Sequence, residues 1–335
     1  MEYRILGKTG LEVSRVGFGG IPLQKTTPAE AKKVIDALVE QGINFIDTAR
    51  GYTVSEELIG AATKGRREKF ILASKSMSRT AGAIERDIDI SLKNMRTDYI
   101  DLYQIHNLPV REFDAVMGEG GALEGLLKAK KEGKIRHIGL TAHSAETFER
   151  ALELDFVETV MFPYNIVETQ GEELIAQCRE KNIGFICMKP LAGGALENAT
   201  LALRFVVSNP AVSVVIPGMA TVREVQENAG AAEMASELSQ DELAEIEEIR
   251  RTLGSNFCRR CNYCAPCTAG ISIPSVFLFG GYLERYGLEA WARDRYETLD
   301  KKASNCIGCG VCETRCPYEL PIREMMKKHA VSFGK

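Results

Sequence analysis

Short apolar runs rich in β-branched residues alternate with amphipathic stretches along residues 1 to about 235. This alternation is typical of repeated β-strand and α-helix units that build a parallel sheet. The number of runs is eight, which is the number of strands that closes a barrel. The runs are RVGFG, INFIDTA, KFILASK, IDLYQIH, IRHIGLT, TVMFPYN, GFICMKP and VSVVIPG.

The sequence therefore predicts an α/β fold, a (β/α)8 TIM barrel of the usual size of about 250 residues. An opening hairpin is expected to pair YRIL with LEVS. One helix of the repeat should begin with Thr27 as its N-cap and Pro28 at its first position, and should end at Gly42. A doubly wound open sheet is the alternative, but it usually carries a GxGxxG loop after its first strand, and GFGGIP does not match that pattern.

Composition and charge exclude several classes of function. The net charge of -4 is spread along the chain without a basic stripe, so nucleic acid is not an expected partner. No apolar run approaches the roughly 18 residues of a membrane-spanning helix, and the N-terminus lacks the apolar region of a signal peptide. We expect a cytoplasmic protein with no membrane partner. Ten cysteines in that reducing compartment favour metal ligation or redox chemistry over disulfides.

Polar side chains follow three successive predicted strands at their carboxyl ends, where barrel enzymes carry their chemistry. Asp47 and Tyr52 follow the second strand, Lys75 the third and His106 the fourth. Taken singly, each has an ordinary structural role: a helix cap, rim packing, an exposed ammonium on a buried stem, and a core histidine. Because adjacent strands place all four at one opening, the set predicts a catalytic site.

These residues resemble the aldo/keto reductase family. The resemblance rests on FIDTA followed by Tyr52 and SEELIG, on Lys75 and His106, and on IPG and ENA near the end of the barrel, and it covers about residues 3–235. It implies that Tyr52 protonates a carbonyl oxygen of a small-molecule substrate while a nicotinamide delivers hydride to carbon, and that His106 orients the carbonyl. The Lys75 ammonium would favour the phenolate form of Tyr52, since the ordinary pKa of a tyrosine is about 10. Asp47 would orient the ammonium.

The same resemblance implies cofactor contacts at which this chain departs from the usual pattern. A Ser-Asn pair, a glutamine and an aromatic residue are replaced by Thr141 with Ala142, by Met161 and by Met188. The lysine and arginine that grip the 2′-phosphate are replaced by Gly218 and Glu224, with Arg223 beside them. Because a glutamate repels phosphate, the cofactor is expected to be NADP or NAD without the usual NADPH preference. The expected cofactor contacts are Thr141, Met188, Gly218, Thr221, Glu227 and Asn228.

Eight of the ten cysteines form two runs near the end of the chain. The first run has the spacing C-x2-C-x2-C-x2-C, and the second has C-x2-C-x2-C-x3-C followed by proline. The second matches the bacterial [4Fe-4S] ferredoxin run, whose fourth cysteine binds the other cluster. Zinc sites are the alternative, although zinc ribbons typically use pairs of C-x2-C. The runs are Cys258, Cys261, Cys264 and Cys267, then Cys306, Cys309, Cys312 and Cys316.

Exchange of the fourth ligand predicts how two [4Fe-4S] clusters divide these cysteines. Each cluster takes three thiolates from one run and a remote fourth from the other. The predicted sets are Cys258, Cys261, Cys264 and Cys316 for one cluster, and Cys306, Cys309, Cys312 and Cys267 for the other.

Helix-like spacing of aromatic and aliphatic residues between the two runs predicts a small α-helical ferredoxin-like domain. A preceding helix, SQDELAEIEEIRRTL, begins with a capping box formed by Ser239 and Glu242. The predicted domains are a barrel over 1–235, a linking helix over 236–256 and a 4Fe-4S dicluster domain over 257–335. This order resembles the group of aldo/keto reductases with a fused ferredoxin-like tail.

Three functions fit the sequence. The first is an NAD(P)H-dependent carbonyl reductase whose clusters exchange electrons with a redox partner protein. The second is an ordinary carbonyl reductase with a structural or redox-sensing tail. The third is an electron carrier whose barrel has lost hydride chemistry. Nicotinamide transfers two electrons as hydride whereas each cluster transfers one, and no flavin motif that could join the two is visible.

Overall fold

The structure, a computed structural model, describes residues 1–234, 237–254 and 256–334. It divides into two compact units. The first contains Met1–Asn165, Thr169–Leu191 and Asn198–Leu238, and the second contains Ile166–Glu168, Ala192–Glu197 and Ser239–Lys335. The predicted boundary between residues 235 and 236 lies outside the described residues.

Ten strands belong to the described part of the first unit. Two form an antiparallel hairpin, and eight form a parallel sheet in which each strand pairs with its neighbour in sequence. All eight predicted strand runs are confirmed, although most of the strands are shorter than the runs. The strands are β1 Tyr3–Ile5, β2 Glu12–Ser14, β3 Phe18–Gly19, β4 Phe45–Asp47, β5 Ile71–Ser76, β6 Ile100–Ile105, β7 Ile135–Thr141, β8 Thr159–Pro163, β9 Gly184–Met188 and β10 Val214–Ile216.

Backbone hydrogen bonds close the parallel sheet into a barrel. Val215 N donates to Arg15 O at 2.9 Å and Gly17 N donates to Val215 O at 2.8 Å. One residue pair further along, Gly19 N donates to Pro217 O at 2.9 Å. These bonds join β10 to the first strand of the sheet. The predicted TIM barrel is therefore confirmed, and the open-sheet alternative is wrong.

The hairpin of β1 and β2 covers the amino end of the barrel. Leu6 is fully buried in the same apolar cluster as Phe45, Leu102 and Ile186, whose side chains fill the barrel interior. Gly7 has φ +53°, and a Cβ there would lie 2.1 Å from the backbone nitrogen of Gly184, the first residue of β9. With its amino end closed in this way, the barrel opens at the carboxyl ends of its strands.

Nine α-helices complete the described part of the first unit, and a second apolar layer packs between them and the strands. The predicted helix start at Thr27 is confirmed, with a capping box to Glu30. The helices are α1 Pro28–Glu40, α2 Ser55–Ala62, α3 Ala81–Met95, α4 Phe113–Met117, α5 Ala122–Lys131, α6 Ala145–Leu152, α7 Glu172–Glu180, α8 Ala199–Ser208 and α9 Val222–Glu233. Short 3-10 turns occupy Gly7–Thr9, Ile21–Lys25, Arg67–Lys69 and Val110–Glu112.

The described part of the second unit is helical, as predicted. Ser239 and Glu242 form the predicted capping box at its first helix. The apolar core of this unit includes Cys264 and Cys312. No helix in the described ranges is long and apolar enough to cross a membrane. The helices are α10 Gln240–Leu253, α11 Ile273–Glu284, α12 Glu289–Glu297, α13 Val311–Thr314 and α14 Ile322–Phe333, with a 3-10 turn at Ala303–Asn305.

Candidate active site and cysteine cages

The four predicted catalytic side chains come from three neighbouring strands and the loops that follow them. Asp47 is the last residue of β4, and Tyr52 lies in the loop between β4 and α2. Lys75 is the fifth residue of the six in β5, and His106 directly follows β6. Strands β4, β5 and β6 are adjacent and parallel, so their carboxyl ends deliver these groups to the open end of the barrel.

Asp47 and Lys75 form a buried ion pair. Each residue is only 2% exposed, and Lys75 Nζ donates to Asp47 Oδ2 and, at 2.9 Å, to the backbone oxygen of Thr48. Gln104 Nε2 donates to the other carboxylate oxygen of Asp47 at 3.1 Å. Burial lowers the pKa of the Lys75 ammonium, and the Asp47 carboxylate opposes that shift. Lys75 is therefore not an exposed ammonium on a buried stem.

Tyr52 and His106 lie beside this pair. Lys75 Nζ is 5.1 Å from the centroid of the Tyr52 ring. The rings of Tyr52 and His106 are 6.0 Å apart between centroids and nearly perpendicular, at 86°. Both side chains are partly exposed, unlike the ion pair behind them. The arrangement places a phenol and an imidazole at the surface of the site, with a buried ammonium next to the phenol.

The backbone that carries His106 is fixed by a residue that sequence reasoning missed. Arg79 donates through its two terminal nitrogens to the backbone oxygens of His106, at 3.0 Å, and Asn107, at 2.9 Å. Its Nε donates to Glu112 Oε2 at 2.7 Å. The sequence gives no signal for Arg79, because its partners are backbone atoms distant in sequence. Gln104 had a usable signal, since it is a polar residue two positions before His106 in a fully buried strand.

Thr141, a predicted cofactor contact, lies against the same loop. Its hydroxyl oxygen accepts a hydrogen bond from Asn107 N at 2.6 Å, and Asn107 has a left-handed backbone with φ 49°. The Asn107 side-chain oxygen is 2.9 Å from His143 Nδ1. Because a threonine hydroxyl that accepts one bond can still donate its own proton, Thr141 keeps the donor that a carboxamide contact requires.

The other predicted cofactor contacts follow β9 and β10. Met188 ends β9, and Gly218 lies two residues beyond β10. Thr221 is the N-cap of α9, on which Asn228 is 4% exposed. Glu227 is exposed and pairs with Arg223 Nε at 2.6 Å. These positions share the open end of the barrel with the four catalytic candidates.

The Glu224 side chain caps the amino end of α9. Its carboxylate accepts hydrogen bonds from Ala220 N at 2.6 Å and Thr221 N at 2.9 Å, and Glu224 N donates to Thr221 Oγ1 at 3.2 Å. Backbone amides at a helix start are a common binding place for phosphate. Here a carboxylate already bonds two of them, and Arg223 beside it is engaged by Glu227.

Four cysteines line one cavity in the second unit, and they come from both runs. They are Cys267 from the first run and Cys306, Cys309 and Cys312 from the second. Burial raises the pKa of Cys261, and the nearby Cys316 thiol adds to that shift. Burial likewise raises the pKa of Cys264 to about 12, and Cys258 and Cys261 contribute. The fourth cysteine of each run thus lies near the other run.

The spacing of these thiols differs from that of a single-metal site. Within the described ranges, no three His, Cys, Asp or Glu side chains converge closely enough to hold one metal ion. Zinc requires all of its thiolates at about 2.3 Å from one atom, whereas an iron-sulfur cube separates its four ligands across its corners. Four thiols that surround one cavity suit a [4Fe-4S] cube, which takes its ligands at separate corners.

Known protein families match both the barrel and the cysteine-rich region. The sequence profile of the aldo/keto reductase family matches residues 15–201 and 197–251, and that of the 4Fe-4S dicluster domain matches residues 257–321. The chain belongs to the aldo/keto reductase family. It is an oxidoreductase that carries a C-terminal 4Fe-4S dicluster domain.

Individual proteins and solved structures are also similar to this chain. L-galactose dehydrogenase of Arabidopsis thaliana is 29% identical over 303 residues, covering 74% of this chain and 94% of the relative. Aldo-keto reductase YhdN of Bacillus subtilis is 34% identical over 229 residues, and the match covers 60% of this chain and 66% of the relative. A similar solved structure is that of aldo-keto reductase AKR11C1 from Bacillus halodurans in its holo form. Its TM-score is 0.65 at 26% identity, and the match covers 74% of this chain and 96% of that structure.

Proposed function

We propose that this protein reduces the carbonyl group of a small aldehyde or ketone with a nicotinamide cofactor. The observation that carries the proposal is the buried Asp47–Lys75 pair beside the partly exposed Tyr52 and His106. Burying an ion pair costs free energy unless it is well bonded, so a buried ammonium held against a phenol points to proton transfer at that phenol.

Each of the four side chains has a role that follows from its position. Tyr52 donates its phenolic proton to the carbonyl oxygen as negative charge develops there. The Lys75 ammonium stabilises the phenolate that remains, and Asp47 keeps that ammonium in place. His106 is a hydrogen-bonding group that orients the carbonyl, and Arg79 fixes the backbone from which it projects.

Thr141 and Met188 would hold a nicotinamide, while Gly218, Thr221, Glu227 and Asn228 would hold the rest of the nucleotide. Bound there, the nicotinamide supplies the hydride for the carbonyl carbon. Thr141 keeps a hydroxyl donor for the carboxamide, and the thioether of Met188 packs against ring faces. Glu224 repels a 2′-phosphate, so NADH is expected to compete with NADPH.

We further propose that the eight cysteines bind two [4Fe-4S] clusters with exchanged fourth ligands. Cys316 completes the set of Cys258, Cys261 and Cys264, and Cys267 completes the set of Cys306, Cys309 and Cys312. This division is supported by the cavity that the second set lines and by the nearness of Cys316 to Cys261, whose pKa it helps to raise. One-electron centres of this kind connect the enzyme to a redox partner protein.

Anaerobic stopped-flow spectroscopy tests the proposal. The protein is mixed with NADH or NADPH and with a panel of aldehydes and ketones, while cofactor oxidation and cluster bleaching are followed together. Carbonyl-dependent oxidation of the cofactor supports the reductase. Bleaching of the clusters by the cofactor supports electron exchange with them, whereas unchanged clusters during turnover favour a structural or redox-sensing tail. No cofactor oxidation with any carbonyl would contradict the proposed reaction.

A further inference from the structure

A second buried ion pair has no part in the proposed carbonyl chemistry. Glu168 and Arg260, both in the second compact unit, form a direct salt bridge through Glu168 Oε1 and the Arg260 guanidinium. The Glu168 side chain is 0% exposed and that of Arg260 is 10% exposed. Burial of two charges is expensive, so the presence of such a pair is weak evidence that it stabilises the fold.

Arg260 lies within the first cysteine run. It occupies one of the two positions between Cys258 and Cys261, and its guanidinium also donates to the backbone oxygen of Cys258 at 3.3 Å. The backbone of Arg260 is left-handed, with φ 59°. The cation is therefore held in one place by the same short loop that carries two of the proposed cluster ligands.

Glu168 is held equally firmly, because arginines bind the residues before it. Arg250 Nε donates to the backbone oxygen of Ile166 at 3.1 Å, and Arg259 Nε donates to that of Val167 at 2.8 Å. Both arginines belong to the same compact unit as this three-residue segment. The carboxylate thus faces Arg260 from a fixed backbone.

A fixed charge near an iron-sulfur cluster changes its reduction potential. Reduction adds one electron, so a nearby cation favours the reduced state and a nearby anion opposes it. The effect is larger for buried charges, since water does not screen them. A cation paired with an anion acts with only the difference between the two.

We propose that the Glu168–Arg260 pair sets the reduction potential of the cluster bound by the first cysteine run. Glu168 holds the potential below the value that Arg260 alone would impose. The inference rests on the proposed binding of a [4Fe-4S] cluster by Cys258, Cys261, Cys264 and Cys316. It goes beyond that proposal because it assigns a function to two residues that bind no metal.

Redox titration of three variants tests this assignment. Glu168→Gln removes the anion at nearly unchanged shape, Arg260→Gln removes the cation, and the double variant removes both. The full protein is titrated anaerobically with dithionite and followed by electron paramagnetic resonance. For Glu168→Gln, the ratio of reduced to oxidised cluster at a fixed potential should rise about tenfold, which is about 59 mV for a one-electron couple. Arg260→Gln should shift the ratio in the opposite direction, and the double variant should lie close to wild type.

Controls separate the outcomes. Asp101→Asn, which breaks the ion pair of Asp101 with Arg67 in the first unit, should leave the potential unchanged. Iron and sulfide are measured in every sample, and if Arg260→Gln fails to retain its cluster, Glu168→Gln and the double variant decide the question. An unchanged potential in Glu168→Gln with full iron content would overturn the inference, as would equal shifts of both clusters. Wild-type protein without iron and sulfide would overturn the cluster proposal itself.

Discussion

Lys75 carries its charge at a place where burial opposes it. Burial lowers the pKa of its ammonium, and the Asp47 carboxylate and the backbone oxygen of Thr48 compensate with hydrogen bonds. Tyr52 is the residue that gains from this arrangement, because a positive charge beside a phenol stabilises the phenolate. At the scale of single residues, the site is a buried charge pair beside a partly exposed phenol, which we propose as the proton donor.

Tyr52→Phe should lower kcat for carbonyl reduction by about a hundredfold or more, since it removes the proton donor while keeping the ring. The affinity for the nicotinamide cofactor should stay the same, because the hydroxyl is not a predicted contact of it. Steady-state kinetics and cofactor titration by fluorescence measure the two effects. Tyr99→Phe is the matched control, as its ring lies under Arg136 outside the site. Unchanged turnover in Tyr52→Phe would refute the assigned role.

Gln104→Leu should lower the free energy of unfolding by about 1.5–3 kcal/mol, because it removes a buried hydrogen bond to the charged Asp47. Urea denaturation followed by circular dichroism measures the loss. Gln226→Leu, at an exposed position of α9, should change stability much less. Equal stabilities of the two variants would mean that the bond to Asp47 contributes nothing.

Sequence reasoning found the residues that end strands and missed those that support them. Asp47, Lys75 and His106 could be found because strand ends in a barrel share one opening. Arg79 could not, since its bonds to the loop after β6 depend on how two loops meet in space. The roles assigned to the catalytic candidates are predictions, and Tyr52→Phe tests that of Tyr52.

At the scale of elements, the start of α9 carries Glu224, the side chain on which the proposed cofactor preference depends. The Glu224 carboxylate caps the helix by accepting hydrogen bonds from Ala220 N and Thr221 N. A capping glutamate stabilises its helix and interacts favourably with the helix dipole. The same carboxylate occupies amides that would otherwise attract an anion.

Glu224→Gln should increase the preference for NADPH over NADH by about threefold, because it removes an exposed negative charge while keeping a side chain that can cap. Competitive titration with the two cofactors gives the ratio. Glu242→Gln changes the same capping position in α10, and there the ratio should stay as in wild type. If both variants bind the cofactors as wild type does, Glu224 does not control cofactor choice.

Element positions were more predictable from the sequence than element lengths. The run INFIDTA predicted a strand of seven residues, whereas β4 spans Phe45–Asp47. Ala49 is buried although it lies beyond the strand, because the chain turns there into the loop that carries Tyr52. An apolar run in the sequence therefore indicates which residues are buried. The length of the strand depends instead on how far its backbone pairs with the neighbouring strands.

At the scale of the whole molecule, the two cysteine runs are interleaved. Cys267 lines a cavity with three cysteines of the second run, and Cys316 lies near Cys261 of the first. The sequence allowed this prediction because the second run has a known ferredoxin spacing. The sequence did not predict the Glu168–Arg260 ion pair, because the two residues are far apart in sequence.

Cys316→Ala should perturb the same cluster as Cys258→Ala, although Cys316 belongs to the other run. Wild-type protein prepared anaerobically should contain about eight iron and about eight sulfide per chain, and the variant should lose or alter one paramagnetic signal while the other persists. Cys309→Ala is the contrasting variant and should affect the second signal. If Cys316→Ala altered only the signal that Cys309→Ala removes, the exchange of ligands would be wrong.

The way the chain passes between its compact units limits how the protein can be divided. Ile166–Glu168 and Ala192–Glu197 belong to the second unit, although they follow strands of the barrel. A chain ending at residue 238 would keep the barrel's apolar core but would lose the partners of both segments, among them Arg259, Arg260 and Arg285. We expect faster amide hydrogen exchange in these two segments of the shortened protein than in the full chain. A single cut of the chain therefore does not separate the two compact units.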